Sequence, residues 1–320
     1  MRQHSTRGRG FGLMLLLVVT GGFGCAARVP PQVTPPSPAF LSLAEVIGEL
    51  KEFERTIGGQ ATENFLSYSN RPTADERCYF TGKLELPEFY SGLRMVREDG
   101  ARCTERANEH DVFFYSVEAV ASGEETITIA LAEAPVERML VVVPHEDFHN
   151  QTEARKAPTE VAESAATLVG FLTASVFVRE KFGEDSTHFR LLARDADLFL
   201  QKSFIVNLYY ERVSDLYRSF RDGALTQEQT LARKSEAFAE LQQSCAAISP
   251  EPVSFNKCPA AMNNAGLAFD RTYTRYYPLL HDLYTSLGSD TSALVLRLKR
   301  LLNKWPSSAT GVADLMKVEQ

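Results

Sequence analysis

One short segment constrains this chain more than any other: Val141-Val142-Val143-Pro144-His145-Glu146-Asp147-Phe148-His149-Asn150-Gln151, which contains His-Glu-x-x-His. The pattern needs a helix, because residues four apart stand one turn above each other, and only then do His145 and His149 offer ring nitrogens to one metal ion. Glu146 then points beside the ion. From there it can take a proton from an attacking water and hand it to the leaving group. Zinc in a catalytic site takes three protein ligands and keeps a fourth position open, so a further His, Asp or Glu is expected on a neighbouring helix. Downstream, Pro158 marks the start of a helix with Glu160 and Glu163 on one face. Glu160 falls in the first turn, where a carboxylate interacts favourably with the exposed amides of the helix start. Glu163 lies a turn deeper, before Ser164-Ala165-Ala166, whose small side chains permit close helix packing. Glu163 is therefore the favoured third ligand and Glu160 the alternative, with one Zn2+ ion as the expected cofactor. Pro144 removes one helix hydrogen bond and implies a kink, or a helix that begins there.

The rest of the chain must supply a helical scaffold, and its composition allows one. With 320 residues, 44% hydrophobic and 23% charged, it has apolar side chains enough for a core and too few charges for a disordered polymer. The formal charge of −7 argues against a nucleic-acid partner, whose groove needs a surplus of Lys and Arg. No GxGxxG, lysine-bearing phosphate loop, GxSxG elbow or internal repeat is present, so nucleotide and serine-hydrolase readings have no anchor. From Leu41 to Ile57, Leu43, Val46, Ile47, Leu50 and Phe53 recur at helical period and Gly58-Gly59 ends the run. Asp111–Val120 and Thr126–Leu131, rich in β-branched and aromatic residues, predict a small sheet broken at Ser122-Gly123. After about residue 136 helical period dominates, with turn signals at Lys156–Pro158, Gly183, Gly223 and Ser249–Pro252. Ala165–Phe177 is nearly continuous apolar sequence but too short for a span, which predicts a buried core helix. The expected fold class is α+β: a mixed α/β part over 40–135 and a predominantly helical part over 136–320 that carries a zincin-like helix.

Ahead of these parts the sequence reads as an export signal. Residues 1–24 hold Arg2, Arg7 and Arg9 and no acid, so their removal takes the formal charge from −7 to −10. The apolar stretch Phe11–Val19 is too short to span a bilayer, and Gly21-Gly22-Phe23-Gly24 leads to Cys25. A cysteine after such a run resembles the lipobox of bacterial lipoproteins, although Gly22 stands where that motif usually has Leu; cleavage after Ala27 is the alternative. On the lipobox reading Cys25 is acylated, residues 25–39 form a proline-rich spacer, and the chain is a membrane-anchored lipoprotein of the bacterial envelope. The other four cysteines form two close pairs in sequence, Cys78 with Cys103 and Cys245 with Cys258. Three connectivities are possible; loop-closure entropy favours these two short bridges, and buried free thiols are the other reading.

His145–Gln151, followed by Glu163-Ser164-Ala165-Ala166-Thr167-Leu168-Val169, resembles the bacterial putative aminopeptidase family, whose pattern is roughly HELAHQ and then NESFATFVE. Arg233-Lys234, Ala237–Leu241, Asn263-Asn264-Ala265, Leu267-Ala268 and Thr272-Tyr273 are similar to that family's C-terminal helices. Asp147-Phe148 stands in place of the family's Leu-Ala, and Ala162 in place of its Asn. The resemblance implies an exported zinc peptidase acting on peptide bonds as an aminopeptidase, with His145, His149 and Glu163 on the metal and Glu146 as general base. The reading from a different class is a non-catalytic envelope lipoprotein that binds a partner and keeps a metal for stability. His110, His188 and His281 read as ordinary side chains. Tyr209, Tyr210, Tyr273, Tyr276 and Tyr277 read first as helix packing, though one of them could support an oxyanion. Arg297–Lys304 reads as a solvated basic face.

Overall fold

Most of the helical period in the sequence is realised as helices gathered around the most apolar of them. The computed structural model describes residues 38–60 and 62–303; Cys25, the export segment, the spacer before Pro38 and Lys304 lie outside them. The central helix, α5 (Thr159–Phe182), is long and apolar enough by length and composition to cross a membrane, yet 94% of its apolar window is buried inside the protein. It is a core helix. Around it pack α4 (Val136–His149), α6 (Thr187–Arg221), α8 (Asn264–Thr274), α9 (Tyr277–Ser286) and α10 (Thr291–Asn303), while α7 (Gln227–Ala246) lies on α6. The largest apolar cluster joins Leu168, Phe171 and Val178 of α5 to Leu140 and Val143 of α4, Phe199 of α6, Leu280 of α9 and Leu298 of α10.

The N-terminal helix α1 (Pro38–Thr56) places Ile47 and Leu50 in the same cluster, as its period predicts. It ends before Gly58, whose φ of +97° lies in the left-handed region that glycine enters without strain. Helix α4 runs through Pro144 and starts at Val136, so the proline does not mark a helix start.

The sheet has the order β2-β1-β3, formed by β1 (Asp75–Gly82), β2 (Arg94–Val96) and β3 (His110–Val117), and both pairings are antiparallel. Period-two alternation gives it two apolar faces. Cys78, Phe80, Val112 and Phe114 cluster on one side with Cys103 of α2 (Gly100–Glu105), to which Cys78 is disulfide-bonded. On the other side Tyr79 and Phe113 meet Ala265, Ala268 and Phe269 of α8. Lys234 of α7 and the Asn264 amide of α8 both donate to Asp111, a buried residue at the start of β3, which ties sheet to helices. The second disulfide joins Cys245 to Cys258, so both short-range bridges expected from spacing are present.

One expected strand is absent. Thr126–Leu131 contributes only a single parallel bridge, Ile127 to Tyr68, because Thr128 caps a short helix, α3 (Ile129–Glu133), by accepting from the Leu131 amide. The cap takes over the backbone that β-branched composition alone assigned to a ladder.

Candidate metal centre

The centre begins with an unusually close contact between α4 and α5. A Cβ placed on Gly170 would lie 2.6 Å from the Val141 carbonyl oxygen and 3.4 Å from the His145 Cβ, so only glycine fits there. Ala165 and Ala166, fully buried, extend the close approach along α5. Ser164 Oγ donates to the Tyr273 carbonyl at 3.0 Å and fixes the end of α8 beside α5.

This packing brings three donors together. The Nε2 atoms of His145 and His149 are 3.2 Å apart, and Glu163 Oε2 lies 3.2 Å from the first and 3.1 Å from the second. Ligands about 2.0–2.1 Å from a tetrahedral zinc stand about 3.3 Å apart, so the donor spacing and the two-nitrogen, one-carboxylate donor set fit such an ion. Glu160 is not part of the cluster. Among the described residues one other group of donors is this close, Cys78, Cys103 and Glu98, and its two sulfurs are bonded to each other.

A second layer holds the donors in place. The Tyr90 hydroxyl donates to Glu163 Oε1 at 2.9 Å, and the Tyr90 amide is itself held by Thr272 Oγ1 at 2.9 Å. The Thr167 hydroxyl donates to the Glu163 carbonyl at 2.7 Å, which leaves its oxygen to accept from His145 Nδ1 at 3.5 Å. With a metal ion bound, that contact would favour the tautomer that carries its proton on Nδ1 and turns the Nε2 lone pair toward the cluster. Burial alone would raise the Glu163 carboxyl, but the imidazoles of His149 and His145 outweigh it and hold Glu163 well below the usual carboxylate range. Burial would lower His149, but the Glu163 carboxylate pushes it up to about 9.

On its other side α4 is tethered by Asp147. This carboxylate, 2% exposed, receives the Lys51 ammonium of α1, the Thr62 hydroxyl at 2.5 Å and the Asn64 amide at 2.9 Å. Lys51 also donates to Thr62 Oγ1 at 2.7 Å. Glu54, one helical turn along α1, is raised well above its ordinary value by burial and then by Asp147.

His145, Glu146, His149 and Glu163 all line one cleft of about 300 Å³. Its opposite wall comes from the sheet and α8: Arg77 and Tyr79 of β1, Tyr115 of β3, and Phe269 and Tyr273 of α8. Arg77 pairs with Tyr115 across the ladder and Tyr79 with Phe113, so one face of the sheet is presented to the centre. Burial foremost raises the Tyr115 and Tyr273 phenols, which remain neutral O–H donors. Burial likewise raises the Glu146 carboxyl, against the lowering effect of His145 and His149.

The structure thus gathers His145, Glu146, His149 and Glu163 as the spacing predicts, and keeps His110, His188 and His281 out of the cleft. Of the flagged tyrosines, Tyr273 reaches the site, its ring 6.2 Å from that of His145, while Tyr209, Tyr210 and Tyr277 are buried in helix packing. The sequence reading missed Arg77, Tyr79, Tyr90 and Tyr115. The alternation of Phe113, Tyr115 and Val117 was the available signal, since it marks one face of a strand.

These features define an α+β protein, mostly helical, with a two-histidine, one-carboxylate donor cluster at the base of a cleft walled by a small antiparallel sheet. The chain belongs to the putative aminopeptidase family, whose profile matches residues 124–310. That membership supports a peptidase-type function with peptides as substrates. No curated protein and no solved structure matches the chain.

Proposed function

We propose that this chain is an exported, zinc-dependent peptidase, an aminopeptidase by family, in which His145, His149 and Glu163 hold one zinc ion and Glu146 is the general base. The observation that carries the reading is the convergence of those three donors at 3.1–3.2 Å, beside Glu146, in a cleft able to admit a stretch of peptide. The arrangement is zincin-like: a His-Glu-x-x-His helix with its third ligand from the next helix. Bound among these donors, zinc supplies Lewis-acid polarisation of the scissile carbonyl and acidifies water.

The chain's own groups do the rest. Glu146 takes a proton from the attacking water and delivers it to the leaving amine. Tyr90 and Thr167 keep Glu163 and His145 in orientation while charge moves. The neutral phenols of Tyr115 and Tyr273 are the donors available to a developing oxyanion. Export is supported by the two disulfides, which persist in an oxidising compartment, and the envelope anchor is the acylated Cys25.

Metal analysis of the purified protein, combined with hydrolysis of a small peptide panel, tests the reading. Glu146→Gln is expected to retain zinc while losing about 10²–10⁴-fold in rate. If wild type and Glu146→Gln are equally inert with zinc bound, the enzyme reading is lost and the non-catalytic envelope lipoprotein takes its place.

A further inference from the structure

The centre opens on two sides. Beside the polar cleft lies a second cavity of about 140 Å³, and the two share Tyr115, Ala119, His145, Glu146 and Tyr273. Val141 and Val142 of α4, Phe171 of α5, Phe199 of α6, and Phe255 from the loop between α7 and α8 form the apolar side of the second cavity, and Glu118, Arg138, Thr167 and Ser254 complete its lining. The three phenyl rings pack as a triangle, with centroids 5.4 Å (Phe171–Phe199), 5.8 Å (Phe171–Phe255) and 5.1 Å (Phe199–Phe255) apart.

The loop that carries Phe255 is pinned from two directions. Asp195 of α6, fully buried, accepts from the Val253 amide at 2.8 Å, the Ser254 amide at 2.9 Å and the Ser254 hydroxyl at 2.7 Å. From the other side Arg138 donates to the Ser254 carbonyl at 2.9 Å, while its Nε holds Glu118 at 2.7 Å. A buried carboxylate committed to three donors on two loop residues fixes the position of the next side chain, so the pit exists before any ligand arrives.

We propose that this pit receives the bulky apolar side chain of the substrate residue flanking the scissile bond, so that peptides with phenylalanine or leucine there are the preferred class. The proposal rests on the peptidase reading above. The pit meets the reaction centre at His145 and Glu146, which restricts its occupant to a residue next to the bond that is cut. An apolar cavity of about 150 Å³ holds benzene, so one phenyl or one branched aliphatic group fills this volume and an indole exceeds it. Burying such a side chain, against alanine, corresponds to a preference of about 10- to 100-fold in kcat/KM.

The test compares Phe, Leu, Ala and Trp peptides on the zinc-loaded full chain, with two variants of opposite sense. Val142 is half-buried, and Val142→Phe, which fills the pit, is expected to bring the Phe-to-Ala ratio of kcat/KM down at least tenfold. Phe255→Leu, which enlarges it, is expected to raise the Trp-to-Phe ratio. Toluene binding to the metal-free protein, followed by ligand-observed NMR and abolished in Val142→Phe, reads the pit without catalysis. Hydrolysis with no Phe or Leu preference, or ratios unmoved in variants whose circular dichroism matches wild type, overturns the proposal and leaves the peptidase reading standing. If no peptide is cut, the peptidase reading fails and the substrate assignment falls with it; toluene binding then shows only whether the pit exists as a ligand site.

Discussion

The tether between Lys51 and Asp147 gives the sharpest stability prediction. Both side chains are buried, at 5% and 2% exposure, and they join α1 to the helix that carries both histidines. Lys51→Met removes the cation paired with Asp147 and leaves its carboxylate with the neutral donors Thr62 and Asn64 and the neighbouring Glu54 carboxyl. Breaking a buried pair by deleting one partner costs about 3–5 kcal/mol, a large part of the ~5–15 kcal/mol that holds a domain together. Asp147→Leu strands the Lys51 ammonium and is expected to cost about the same. Adding the two losses predicts about 6–10 kcal/mol for the double variant. The expectation is different: Lys51→Met/Asp147→Leu leaves no buried charge of the pair, only the buried Asn64 amide and the half-buried Thr62 hydroxyl without their partners, and costs about 1–3 kcal/mol. Urea denaturation with matched m-values measures all four proteins. A double variant as unstable as the sum, or a Lys51→Met loss below about 1 kcal/mol, would refute the reasoning.

Three further outcomes are expected. Gly170→Ala gains at most about 1 kcal/mol of helix propensity but drives a Cβ against the Val141 carbonyl, so a net loss of stability by thermal melting, with weakened zinc retention, is expected. Tyr90→Phe removes the hydrogen bond to Glu163 and is expected to weaken zinc affinity about 10–100-fold in chelator competition, with the fold unchanged by circular dichroism. Glu54 is an acid raised in the folded state, so between its unfolded and folded pKa the native protein binds more protons and stability falls as pH rises. Glu54→Gln keeps a donor for Asp147 without that penalty and is expected to be more stable than wild type above about pH 4.3, with the difference vanishing below it; a pH-independent difference contradicts the assignment.

What the sequence revealed and what it hid divide by range. His145 and His149 are one helical turn apart, so their meeting follows from local period alone, and Glu163 followed from its depth in the next helix and the small residues after it. The short-range disulfides were legible for the same reason. Tyr90 was not, because it reaches Glu163 across 73 residues, through a strand-bounded segment with no period of its own. Arg77, Tyr79 and Tyr115 share a face that alternation marks, but alternation does not say that the face meets α8 beside the centre. Nothing local in the sequence marks Lys51 and Asp147 as partners, 96 residues apart; their burial is created by the docking of α1 on α4. At Thr126–Leu131 the composition favoured a strand, and the cap at Thr128 decided otherwise.

The division also locates what the family assignment carries. The match to residues 124–310 contains α4, α5 and thus all three donors and Glu146, so the expected chemistry lies inside it. The side chains that hold or wall the centre from the other direction, namely Lys51, Arg77, Tyr79, Tyr90 and Tyr115, precede residue 124. Tyr90 and Lys51 act on the donors' positions, and the sheet residues form the surface a peptide would meet. The early segment therefore contributes walls and supports to the candidate centre. Its Tyr115, Glu118 and Ala119 also line the second cavity, so on the proposal above substrate selection would be shared between the matched helices and the end of β3 with the residues that follow it.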